Sequence, residues 1–98
     1  MDFEGTYNIN VKAALGSAQG EIVLSTEDGE VKGIVRAMGI EAEAQNIVFD
    51  GNSFSCEVEG DGPTGHVKAK VTGELQDGHI KGVLKAGIIK AKFEGDRA

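Results

Sequence analysis

Asp28-Gly29-Glu30-Val31-Lys32-Gly33-Ile34-Val35-Arg36-Ala37 returns 49 residues later as Asp77-Gly78-His79-Ile80-Lys81-Gly82-Val83-Leu84-Lys85-Ala86, and the likeness extends to Glu43 and Lys92. Polar and apolar classes agree at almost every step, and the offset is half of the 98-residue chain. Each copy opens on Asp-Gly, which supplies the positive φ angles of a two-residue hairpin turn, and then alternates with the period of a half-buried strand. The reading is a duplicated strand-turn-strand unit and a chain of two similar four-stranded halves. Asp50-Gly51, also between alternating segments, marks a further hairpin.

Working outward, the alternation places eight strands at approximately 5–13, 18–26, 30–37, 40–48, 52–59, 65–76, 79–86 and 88–95, with no helical period. The segment from Gly60 to Gly65, containing Pro63, joins strands five and six. A two-residue Asp28-Gly29 loop sets Glu27 opposite Glu30, Glu21 opposite Arg36 and Ile22 opposite Val35; a Met38-Gly39 turn then brings Arg36 opposite Glu41. In the second copy Glu74 faces Lys81, Leu75 faces Ile80, Val71 faces Leu84 and Gly73 faces Gly82. The same arithmetic pairs Leu84 with Ile89, Lys70 with Lys85 and Lys81 with Lys92, and puts Phe93 opposite Ile80, where its ring covers the gap left by the paired glycines. Ile40, Ala42 and Ala44 share one parity while Ile47 and Phe49 share the other, so a bulge near Gln45-Asn46 is expected.

Composition narrows the class. One domain spanning 1–98 is the natural count for this length, and the formal charge is −6. No stretch approaches the roughly 18 to 20 apolar residues of a membrane helix, so no membrane insertion is expected. The start, Met1-Asp2-Phe3-Glu4, has neither the basic nor the apolar region of a signal peptide. A cytoplasmic location follows, with a secreted protein whose signal has been removed as the alternative. Cys56 has no partner for a disulfide and reads as a buried, inert thiol.

Eight sequential antiparallel strands with one apolar face must close into an up-and-down β-barrel or stack as a flattened β-sandwich, because open edges invite aggregation. The barrel is the preferred all-β architecture. Gly5-Thr6-Tyr7 and Phe93-Glu94-Gly95-Asp96-Arg97 resemble the first and last strands of calycins, the lipocalin-like group, and the repeated Asp-Gly pattern is similar to small bacterial calycin-like domains over nearly the whole chain. In that group a Gly-x-Trp opens the first strand and a late basic residue packs across the tryptophan. The resemblance therefore implies barrel closure by Tyr7 and Arg97, with tyrosine standing where the family has tryptophan. It also implies a small hydrophobic ligand, since calycins often carry one.

The inward set mixes bulky residues (Ile9, Val11, Phe49, Phe54, Val58, Val67, Leu84, Phe93) with small ones such as Ala13, Gly33, Ala69, Gly73 and Ala91. A circular barrel would leave a dry apolar cavity at the small residues, whereas a flattened one would let its walls meet. The candidate ligand lining is Phe49, Phe54, Cys56, Val58, Val67, Leu84 and Phe93. Glu43 is the charged residue that falls on the inward parity.

Outside, Lys68, Lys70, Lys81, Lys85, Lys90 and Lys92 form a candidate anion patch; the span from His66 to Lys92 carries +4, and the rest of the chain −10. It reads either as solubility and edge protection or as a site for a ligand carboxylate, a phosphate or the acidic half of a second subunit. Net acidity and the lack of interleaved aromatics argue against nucleic acid. Val23 opposite Ile34, continuous with Met38 and matched by Val83 in the second copy, suggests a homodimer interface.

Enzyme signatures are absent: no phosphate loop, nucleophile elbow, HExxH or CxxC. His66 and His79 read as exposed, with no third ligand spaced to join them at a metal. The carboxylate pairs Glu41 with Glu43 and Glu57 with Glu59 arise from alternation alone. No cofactor is expected. The function expected is a non-enzymatic barrel holding a small apolar ligand; the alternatives are an interaction or assembly module with a filled core and a calycin-type isomerase or cyclase.

Overall fold

The computed structural model describes residues 3–14, 16–37, 39–62 and 65–98. Eight strands run in chain order: β1 Gly5–Ala13, β2 Gly16–Glu27, β3 Glu30–Ala37, β4 Ile40–Asp50, β5 Ser53–Gly62, β6 Gly65–Gln76, β7 His79–Ala86 and β8 Ile89–Arg97. Each pairs antiparallel with the next, and β1 pairs with β8, so the sheet closes into an up-and-down barrel rather than a sandwich. Closure leaves no strand edge for another chain to extend.

Turn chemistry fixes the register. Asp28 and Gly29 (φ 52° and 80°) and Asp77 and Gly78 (φ 53° and 78°) each have two positive φ angles, the type I′ geometry that matches strand twist. Glu27 therefore faces Glu30, Glu21 faces Arg36, Leu75 faces Ile80 and Gly73 faces Gly82, as the alternation indicates. The bulge lies between Gln45 and Val48, with Asn46 at φ 54°, and it returns Phe49 to the inward face opposite Phe54. It leaves Val48 58% exposed.

Two hairpins depart from expectation. In the β4–β5 turn the positive φ falls on Gly51 (62°) and not on Asp50, so the loop is Gly51-Asn52 and Asp50 faces Ser53. The β7–β8 loop is Gly87-Ile88, not Ala86-Gly87, so Ala86 faces Ile89 and Leu84 faces Ala91 instead of Ile89. Lys81 meets Glu94 rather than Lys92, and Phe93 lies directly opposite Gly82 while Ile80 faces Gly95. The cause is the turn type: with positive φ at Gly87 alone (62°), glycine takes the first loop position, as in a type II′ turn, rather than the second. Glu43 is also corrected. It is exposed and faces Ile34 and Glu59 on the outer wall, because the bulge comes after it and leaves Ala42 and Ala44 to point inward.

The core gathers Tyr7, Ile9, Val11, Ile22, Ala42, Cys56, Val58, Ala69, Val71, Ile80, Ala91 and Phe93, and no polar or charged residue other than Tyr7 is buried among the described residues. Gly73 and Gly82 bring β6 and β7 close together. A Cβ on Gly82 would strike the carbonyl oxygen of Thr72 and come within 2.7 Å of Phe93 Cζ; one on Gly73 would meet Phe54 Cε1 at 3.1 Å. Phe54 and Phe93, paired directly with these glycines, fill the space that side chains there would occupy.

Candidate functional site

The strands converge on two ends. At one lie Phe3, Ala98 and the turns at 28–29, 51–52 and 77–78, and here the inward residues are large. Phe3 stacks on Phe49 with ring centroids 5.2 Å apart, and Phe49 on Phe54 at 6.1 Å, both pairs tilted as aromatic rings prefer. All three are half-buried. The segment carrying Phe3 is tied down by side chains of the barrel. Tyr7 Oη donates to the Phe3 carbonyl at 2.7 Å, and Arg97 Nη1 donates to the Glu4 carbonyl at 3.1 Å.

Tyr7 and Arg97 are direct partners across the β1–β8 seam. The Arg97 guanidinium carbon lies 5.9 Å from the centre of the fully buried Tyr7 ring, within cation–π range. Burial raises the Tyr7 pKa, partly opposed by Arg97, so its hydroxyl stays a donor.

Beneath the aromatic rings lies a cavity of about 20 Å³, lined by Ile22, Leu24, Gly33, Ile34, Val35, Ala44, Ile47, Phe49, Phe54, Cys56, Val71 and Ile80. Its walls are apolar, and its thiol is inert: burial, helped by Glu57, pushes the Cys56 pKa up to about 11. Of the seven residues expected to line a ligand site, Phe49, Phe54 and Cys56 border this space. Val58 and Phe93 are packed in the core, and Val67 and Leu84 are half-buried nearer the other end. Phe3, Leu24 and Ile47 join the site unforeseen. Phe3 precedes the first strand and shows no alternation, Leu24 lies within the alternating run of β2, and Ile47 reads from sequence as an inward residue beside the bulge.

The outer wall brings the lysines together in part. Lys70, Lys85 and Lys90 stand in one row across β6, β7 and β8, and Lys92 faces Lys12 of β1. Lys68 stands opposite Glu59. Lys81 leaves the group, lying 4.0 Å from Glu74 and facing Glu94. Two open grooves of about 880 Å³ cross the wall, one beside Asn8, Asn10, Gln19, Glu21, Arg36 and Glu41, the other beside Lys12, Glu74, His79, Lys81, Lys92 and Glu94. Both mix amides or charges of both signs. Val23 and Ile34 face each other outward, yet both are half-buried, and Met38 lies outside the described residues.

Each histidine bridges two acids on the neighbouring strand. His66 meets Asp61 at 3.0 Å and Glu59 at 2.6 Å; His79 meets Asp96 at 2.8 Å and Glu94 at 2.8 Å. The two ring nitrogens point at different carboxylates, so the groups do not converge on a common point for a metal ion. The His66 and His79 pKa values are raised, first by hydrogen bonds to Asp61 and Asp96 and then by those to Glu59 and Glu94.

No family model matches the chain, and no curated protein is similar to it in sequence. Among solved structures it is similar to fatty-acid-binding protein 1 of Echinococcus granulosus, with a TM-score of 0.60 and 10% identity over 100% of this chain and 99% of that one. It is also similar to the fluorescent protein UnaG, with a TM-score of 0.55 and 14% identity over 99% of this chain and 98% of that one. At these identities the likeness is one of fold: the chain has the closed, eight-stranded, calycin-like barrel.

Proposed function

We propose that the protein is a non-enzymatic binding protein for a small apolar molecule, taken up at the aromatic end of the barrel. The observation that carries this reading is the placement of Phe3, Phe49 and Phe54, half-buried and stacked beside a cavity without polar walls. The present 20 Å³ has room for about one water molecule, against the roughly 300 Å³ or more of a ligand pocket. Uptake therefore requires Phe3 to leave Phe49, and the barrel wall at Gly33 and Ala44 to relax. Phe3 lies ahead of the first strand and is held by the Tyr7 hydrogen bond and its contact with Phe49, both of which can be released without breaking the sheet ladder. The fatty-acid-binding protein of the same fold supports an elongated apolar guest. Among the described residues the apolar interior, with its thiol held protonated, offers no acid–base pair to an isomerase or cyclase.

The competing reading is an interaction module with a filled core, self-associating through Val23 and Ile34. It draws on the smallness of the cavity. One experiment separates the two. With 11-(dansylamino)undecanoic acid as probe, Phe3→Ala raises affinity several-fold over the wild type, because the covering ring is gone. Ala44→Trp, which fills the cavity, abolishes binding. If neither wild type nor Phe3→Ala takes up the probe, the core is filled for good and the interaction reading stands.

A further inference from the structure

The lysine row lacks ion-pair partners among the described residues. Among the described residues Lys12, Lys68, Lys70, Lys85, Lys90 and Lys92 form no ion pair. The acids opposite Lys70 and Lys68 are engaged elsewhere: Glu57 accepts from Asn46 at 3.3 Å, and Glu59 holds His66. Like charges directly opposed, as in Lys70–Lys85, Lys85–Lys90 and Lys12–Lys92, destabilise a sheet. A chain of net charge −6 thus keeps a basic stripe that it does not neutralise.

The row runs to the β7–β8 turn, where Ile88 is 103% exposed and Ile89 62% exposed. A type II′ turn asks for glycine at its first loop position and leaves the second open to polar residues, so the turn itself does not require isoleucine. Scattered surface aliphatics are ordinary; two in succession at a projecting tip, between Lys85 and Lys90, form a compact apolar point in a basic collar.

We infer that this hairpin tip docks on an anionic lipid bilayer, with Ile88 and Ile89 entering the interfacial layer and Lys70, Lys85 and Lys90 meeting the headgroup phosphates. Firm attachment of a peripheral protein takes two weak signals, apolar insertion and a basic patch, and the tip supplies both. Asp28 and Asp77, in the turns at the opposite end, face away from the bilayer in that orientation. Nucleic acid would satisfy the lysines but leave the isoleucines in water, and no aromatic ring stands among them to stack a base. The absence of a membrane-spanning segment does not bear on a tip of this size. The inference is independent of whether the barrel takes a guest.

Because the chain contains no tryptophan, Ile88→Trp places a single reporter at a solvent-exposed position of the turn and leaves Gly87, which carries the positive φ, in place. With vesicles of equal parts phosphatidylglycerol and phosphatidylcholine at low salt, its emission is expected to shift to the blue, and wild-type protein to sediment with the vesicles. The partition coefficient falls roughly tenfold or more in Lys85→Glu/Lys90→Glu, and also on raising the salt. Ile88→Ser reduces sedimentation of the otherwise unchanged chain severalfold. Vesicles of phosphatidylcholine alone produce none of this. The inference is overturned if anionic vesicles neither shift the reporter nor sediment the wild type. It is equally overturned if the shift appears without lipid as protein concentration rises, so that a second copy covers the tip, or occurs equally with a single-stranded DNA oligomer.

Discussion

His66 and His79 face the same tripeptide, Glu59-Gly60-Asp61 in one case and Glu94-Gly95-Asp96 in the other, with the aspartate directly across the ladder and the glutamate two residues away on the same face. With carboxylates at both ring nitrogens, both nitrogens donate, which is the protonated imidazolium. The folded-state pKa of each therefore lies above the ordinary value of 6.5. A raised pKa contributes stability that is fully present below pH 6.5 and is lost as pH rises through the folded value. The melting temperature of the wild type is expected to fall between pH 6 and pH 8.5 by more than that of the His66→Gln/His79→Gln variant. Equal slopes would show that both clamps are too exposed to matter. The recurrence of Glu-Gly-Asp is visible in the sequence, but its meaning depends on strand register, which residue-by-residue reading for metal ligands passes over.

At the level of elements, the hairpins show why some pairings are legible and others are not. Asp28-Gly29 and Asp77-Gly78 can hardly be anything but type I′ loops, so every partner along β2–β3 and β6–β7 follows from them. Ala86-Gly87-Ile88 is ambiguous: glycine suits the second position of one turn type and the first of another, and the choice moves β8 by two residues against β7. Parity survives that slip, so the inward faces of β7 and β8 are the same in either register while the partner of Phe93 changes from Ile80 to Gly82. In its true register Phe93 lies across Gly82, where together with Phe54 it fills the space beside the Gly73–Gly82 pair. Phe93→Ala is expected to cost about 3–5 kcal/mol in urea denaturation. A loss under about 1 kcal/mol would mean that the neighbouring strands collapse into the gap.

Over the whole molecule, closure was legible because eight alternating strands with a single apolar face have few ways to hide it, and β1 meets β8 along Tyr7–Arg97. The volume at the centre was not legible. It depends on how far walls rich in alanine and glycine approach one another, a property of curvature that alternation leaves free. The result is a barrel with extents of 35 × 24 × 21 Å and a small apolar void under a trio of phenylalanines. That void lies at the aromatic end of the interior, where Phe3, Phe49 and Phe54 are half-buried. A titration of ¹⁵N-labelled protein with 11-(dansylamino)undecanoic acid, followed by amide chemical shifts, examines this directly. Saturable shifts gathered at Phe3, Gly33, Ala44, Ile47, Phe49, Phe54 and Cys56 are the expected result; a spectrum unmoved at every concentration, or shifts confined to the outer wall, would contradict it.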